Sequence, residues 1–339
     1  MAIVPTPGTF VERAYAQGVY PLIRGLITTV TRLADLALFD LLLGGGLAGL
    51  LVWWTVGLVR AGRGFRLRAG AVLAGWTLVA GAVLYLVFLA TWGLNYRREP
   101  LASRLTAVSS EVTQETLEGL TASAIAELNR LYGYTESSGW PQLADLPERL
   151  GPAFRQVQER LGAVRPAPGL SPRRSLLTPY FRRAGIDGMI DPFFLQVLVN
   201  DTVLPFERPF VTAHEWGHLA GYAHEAEANF VGWLTCLAGD EPMQYSGWIH
   251  LVPRLLAALP EDTQVRLGTL IDDGPRADFA AIRARLSRVV PVVQRNARRL
   301  NDRYLRANRV ESGIASYGEV VRLAVGTELG RRQWTSSGS

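Results

Sequence analysis

The chain has four histidines, and three of them lie in one stretch, His214-Glu-Trp-Gly-His-Leu-Ala-Gly-Tyr-Ala-His224. His214-Glu215-Trp216-Gly217-His218 fits the pattern H-E-x-x-H. Residues four apart on an α-helix share a face about one turn apart, so both imidazoles can reach one metal ion. A catalytic zinc takes histidine nitrogen at about 2.0–2.1 Å and needs three protein ligands beside an open position. Glu215, next to the first histidine, is placed to take a proton from water as general base. Gly217 predicts close packing beside the metal, since a glycine inside a helix costs about 1 kcal/mol relative to alanine. The plain structural alternative is a helix with two satisfied surface histidines.

Three candidates for the third ligand follow Gly221, which can break the first helix. His224 completes the longer pattern H-E-x-x-H-x-x-G-x-x-H, with Met243-Gln-Tyr245 as a Met-turn candidate. Glu225 and Glu227 instead open a second predicted helix, 224–237. They are two apart, about 200° around that helix, so only one can face the metal. Glu225 shares its face with Asn229, which could orient the carboxylate from behind. Glu227 shares its side with Phe230, Val231 and Leu234 and is expected to bond to another element. The spacing favours Glu225 and leaves Glu227 and His224 open. Tyr245, Tyr317 and His250 are candidate oxyanion donors by residue type alone. Gln196 to Asn200 is the candidate strand for pairing with a peptide substrate.

The elements that must position these residues follow from composition. Of 339 residues, 48% are hydrophobic and 19% charged, against about 25% charged in ordinary soluble domains. Disorder is excluded by that apolar content at a net charge of +5. The single cysteine, Cys236, sits in an apolar stretch and excludes both an intramolecular disulfide and a cysteine-rich zinc ribbon. A pI near 9.6 does not point to nucleic acid, because the densest arginine cluster lies between two long apolar runs.

Those runs are uncharged from Leu41 to Val59 and from Ala69 to Tyr96. A bilayer-spanning helix needs about 20 apolar residues, and Trp53, Trp54, Trp92 and Tyr96 lie where interfacial aromatics belong. The reading is an N-terminal interfacial segment (1–40), transmembrane helices at 41–59 and 69–94, an arginine-rich cytoplasmic loop (60–68), and an extracytoplasmic domain (95–339). The four arginines of 60–68 set this orientation, while Arg97, Arg98 and Arg104 argue against it. The N-terminal segment is either an amphipathic helix in the membrane interface or an ordinary packing helix. Thr113 to Leu131 reads as helix, Leu161 to Pro172 as loop, and Met189 to Val203 as one or two short strands.

His-Glu-x-x-His followed by Glu225-x-Glu-Ala-Asn-Phe230 and Tyr245-Ser-Gly247 resembles the membrane zincin-like family catalogued as domain of unknown function 3810. The resemblance extends to the two membrane helices, Trp92-Gly-Leu-Asn-Tyr96, Gly188 to Asn200, Tyr304 to Asn308 and Ser316 to Val321. It implies a mainly α domain with a small β-sheet (α+β), of the glutamate-ligand, gluzincin type, holding one zinc ion. The similar prenyl-protein and heat-shock membrane peptidases carry Glu-x-x-x-Asp at the third-ligand helix. Glu225-x-x-x-Asn229 aligns with it, which implies Glu225 as ligand. At His224 relatives have arginine, and Pro192 to Gln196 departs from a more polar family version.

The function expected is a zinc metallopeptidase anchored in the cell (inner) membrane, with peptide or protein substrates and the lipid bilayer as partners. The alternative is a non-catalytic zinc-binding membrane scaffold or envelope assembly factor. A transporter is disfavoured, because the spans hold no ionisable residue beyond edge-lying Asp40.

Overall fold

The computed structural model describes residues 7–107, 112–307 and 317–336. The two apolar runs form helices Leu38–Arg60 and Gly62–Thr91, both long and apolar enough to cross a membrane. Their apolar side chains face outward: Leu47, Leu51, Val59, Trp76 and Leu78 are all exposed. A core helix would bury them. The pair packs closely at Gly57, where a Cβ would lie 2.9 Å from Leu73, and Trp54 Nε1 donates to Thr77 Oγ1 at 3.1 Å. The connector differs from the expected loop. Only Ala61 separates the helices, and Arg63, Arg66 and Arg68 already belong to the second helix. That helix ends at Thr91, and Gly93–Arg97 follows as a 3₁₀ turn.

The N-terminal segment is helical from Gly8 to Thr31, with Val11–Val19 wound as π-helix. Of the two expectations for it, the structure shows the packing helix. One face docks on the domain: Tyr20 Oη donates to Leu219 O at 2.7 Å and Arg24 to Arg165 O at 2.6 Å. Glu12 pairs with Arg98 at 2.8 Å and Arg104 at 2.9 Å. The other face exposes Val19, Leu22, Leu26, Val30 and Leu33. The segment before the two apolar helices therefore packs as part of the domain that follows them.

The domain is mainly helical. Its centre is three consecutive helices: the motif helix Arg208–Leu219, the glutamate helix Glu225–Leu237 and the third helix Glu241–Ala257. Trp216, Trp233, Trp248 and Tyr245 are fully buried among them. Gln114–Ser138, capped by Thr113, packs on the third helix. The Pro/Gly-rich loop pins the motif helix, because Trp216 Nε1 donates to Leu170 O at 2.8 Å.

The sheet has two antiparallel strands, β1 (Gly188–Ile190) and β2 (Val197–Val199), with Gly188 opposite Val199 and Ile190 opposite Val197. Asp191 shapes the turn between them by accepting from the N–H groups of Phe193 and Phe194. On its far side β2 takes the Arg173 N–H at Val197 O, 2.7 Å. The strand expected to pair with substrate, Gln196 to Asn200, is thus the buried middle of the sheet. The outer edge belongs to β1.

Candidate metal centre

Pro209 starts the motif helix and Gly221, at φ +90°, ends it. L-residues rarely adopt that backbone, and a Cβ there would also lie 2.7 Å from Asn95 Oδ1. The chain then reverses, and the glutamate helix runs back along the motif helix. Two glycines let the helices touch. A Cβ on Gly217 would lie 3.2 Å from Ala228 Cα, and one on Gly232 3.1 Å from His214 N. This close approach of the two helices brings Glu225 to the two histidines.

His214, His218 and Glu225 place one ligand atom each within 4.8 Å of one another. His214 Nε2 lies 3.4 Å from Glu225 Oε2, and His218 Nε2 lies 3.7 Å from Glu225 Oε1. Ligands about 2.1 Å from a tetrahedral ion are about 3.4 Å apart, so these separations suit one zinc. His218 Nδ1 is 2.8 Å from Tyr222 O. That nitrogen therefore carries the proton and Nε2 keeps its lone pair toward the cluster. The Glu225 side chain is 44% exposed, so the cluster opens to solvent on that side.

Electrostatics reflects three groups held together. Burial pulls His218 down to about 4. Burial acts the same way on His214, but the hydrogen bond and charge of Glu225 outweigh it and raise its pKa. Burial raises Glu225, and the two histidines overcome that and hold it at about 2. Glu215 is 4% exposed, and desolvation pushes it up to about 8. Its carboxylate accepts from the Ile190 N–H and rests on Gly188, where a Cβ would stand 2.6 Å from Oε1. Among the described residues its Oε2 has no hydrogen-bond partner.

A family model described as a protein of unknown function (DUF3810) matches residues 15–325. The chain belongs to the DUF3810 family. No curated protein and no solved structure matches it. The matched span of this DUF3810 protein runs from the docked N-terminal helix, through both long apolar helices and the His/Glu cluster, to the helix Tyr317–Gly326.

The other candidate residues sit apart from the cluster. His224 is the N-cap of the glutamate helix, its ring edge-on to Tyr96 at 6.2 Å. Glu227 points the other way and accepts from the Leu101 N–H at 2.6 Å. The Met-turn candidate is not a turn: Met243 and Tyr245 lie in the first turns of the third helix, capped by Asp240. Tyr245 Oη donates to Asp278 Oδ2 at 2.6 Å inside an aromatic cluster with Tyr132, Trp140 and Phe206, so it is not available as an oxyanion donor. His250 stacks on Phe210 at 4.1 Å, and Phe210 in turn lies 6.3 Å from His214. Burial and the Arg254 charge lower His250 to about 3, so it is neutral and one ring removed from the cluster. Asn229 is half-buried one turn after Glu225. Tyr317 begins a helix, and its side chain lies outside the described residues.

Three further residues act on the cluster from distant parts of the chain. Arg254 acts electrostatically on Glu225 and His214 from the third helix. Arg285 joins Asp187, just before β1, at 2.5 Å to Glu207, at the start of the motif helix, at 2.7 Å. It fixes the strand edge against the helix that carries Glu215. Trp92 Nε1 donates to His218 O at 3.1 Å. Arg254 and Arg285 carry no local signal, being 36 and 67 positions beyond His218 in the chain. Trp92 had one, in the Trp-Gly-Leu-Asn-Tyr stretch, but nothing in sequence tied it to the histidines.

Proposed function

We propose that this DUF3810 protein is a membrane-anchored zinc metallopeptidase with a zincin-like catalytic domain. The observation that carries the reading is the convergence of His214, His218 and Glu225 within 4.8 Å, beside a buried carboxylate on a strand edge. The donor set, two neutral imidazoles and one carboxylate, is a catalytic zinc set of the glutamate type. When bound, zinc supplies Lewis acidity, polarising a carbonyl and easing the ionisation of water.

The protein's own residues divide the remaining work. His218 is held in one tautomer by Tyr222 O. Glu215 Oε2, buried and without a partner among the described residues, takes a proton from the attacking water and returns it to the leaving amine. The outer edge of β1 aligns an extended peptide beside that carboxylate. The two apolar helices hold the domain at a membrane, and the arginines of 60–68 place the catalytic domain outside the cytoplasm.

Metal content of detergent-purified protein tests the reading. We expect about one zinc per chain, lost in Glu225→Ala and retained in His224→Ala and Glu215→Gln. No zinc in folded wild type would overturn it. Zinc whose loss unfolds the domain, together with full function of Glu215→Gln in cells, would favour a structural metal in a scaffold.

A further inference from the structure

The turn between β1 and β2 ties the strand edge to both membrane helices. Thr91 Oγ1, at the end of the second membrane helix, donates to Pro192 O at 2.9 Å. Phe39, at the start of the first, stacks on Phe193 at 6.4 Å. The Leu38 N–H donates to Gln196 Oε1 at 2.7 Å. The first membrane helix has 23 residues, a rise of about 35 Å against a hydrocarbon core of about 30 Å. Its domain-side end, with Phe39, Phe193 and Thr91, therefore sits at headgroup level. Trp92 and Tyr96, next along the chain and expected at the interface, are instead buried in the domain core, because Trp92 Nε1 donates to His218 O and Tyr96 packs edge-on to His224.

The register sets how far the edge stands from that surface. The Asp191 N–H donates to Gln196 O, and the Asn200 N–H to Asp187 O. Antiparallel pairing alternates, so Gly188 and Ile190 turn their backbone groups away from β2, to the edge where Glu215 lies. Glu215 already takes the Ile190 N–H. That leaves Gly188 N–H, Gly188 C=O and Ile190 C=O directed at the edge. A strand advances about 3.4 Å per residue, so Ile190 and Gly188 are only about 7 and 14 Å along the chain from Pro192.

We propose that the substrates are polypeptides themselves anchored in the same bilayer, engaged in extended form within about five residues of the anchor. The proposal rests on the peptidase reading for its chemistry and on the strand-to-membrane geometry for its substrate class. Five extended residues span about 17 Å, enough to run from headgroup level along β1 past Glu215. Confinement to the bilayer surface also raises the effective concentration of such a segment at the edge.

The test uses the full-length protein, zinc-loaded, in liposomes, with one probe in two forms. The probe is a 40-residue mixed-sequence segment, either fused to a single membrane-spanning helix or free in solution. Cleavage positions are read by mass spectrometry. In parallel, p-benzoylphenylalanine in place of Met189, in a Glu215→Gln background, captures whatever lies along β1. We expect at least tenfold faster cleavage of the anchored form, with cuts and crosslinks confined to about five residues from its helix. Equal cleavage of both forms, or cuts spread along the segment, would overturn the substrate class and leave the peptidase reading standing. Juxtamembrane crosslinks without cleavage would support the geometry and count against the peptidase reading. The absence of both cleavage and biased crosslinking would overturn the proposal.

Discussion

At the scale of single residues, the arrangement separates three carboxylates that the sequence places within thirteen positions. Glu225 faces the histidines, Glu227 faces away, and Glu215 lies on β1. Each has its own expected phenotype. Glu215→Gln should keep its zinc while peptide hydrolysis falls about 10²–10⁴-fold, the usual worth of a general base; steady-state kcat and metal content measured on one preparation check both halves. Glu227→Ala should also keep zinc but lose about 1–3 kcal/mol of stability, because the buried Leu101 N–H loses its acceptor. Denaturant unfolding reads that loss, and a metal-free but fully stable Glu227→Ala protein would contradict the assignment.

Between elements, buried ion pairs join parts of the chain that are far apart in sequence. Arg285 holds the start of β1 to the start of the motif helix, and its partner Glu207 is 2% exposed. Removing one member of such a pair leaves a buried charge uncompensated, at a cost of about 3–5 kcal/mol. Arg285→Ala should therefore unfold at markedly lower denaturant, with Arg285→Lys recovering only part, since lysine lacks the planar fork that reaches two carboxylates. Glu12 plays the same part for the N-terminal helix. Burial raises its pKa, but Arg98 and Arg104 outweigh this and hold it below the ordinary carboxylate value. A carboxylate lowered on folding stabilises above its unfolded pKa and loses that contribution as pH falls through the folded value. Thermal unfolding followed down from pH 6 should thus lose stability at acidic pH less steeply in Glu12→Gln than in wild type. Equal slopes would deny Glu12 that role.

For the whole molecule, the two apolar helices and the outward face of the N-terminal helix act together. The protein should remain with membranes through an alkaline wash that strips peripheral proteins. Orientation has its own test. A cysteine at Gly64, in a chain whose native Cys236 is buried, should react with an impermeant maleimide only when the cytoplasmic face is exposed. Labelling from the outside would reverse the topology read from the arginines.

The sequence by itself determined the local features, because each is written in near neighbours. Four-residue spacing set His214 and His218 on one face, and Gly221 ended their helix. The 200° between Glu225 and Glu227 allowed only one of them to face the histidines. Uncharged length alone marked the two helices long and apolar enough to cross a membrane. The tertiary structure decided what depends on distant segments meeting. Glu225 was chosen over His224 and Glu227 by the antiparallel return of the glutamate helix, through glycine contacts that no spacing specifies. Gln196–Asn200 is not the open edge of the sheet, because Arg173, more than twenty residues upstream, covers the far side of β2 and leaves the outer edge to β1. Tyr245 lies apart from the site because its hydroxyl donates to Asp278, 33 residues away. Packing fixes such partners, and a local pattern holds no record of them.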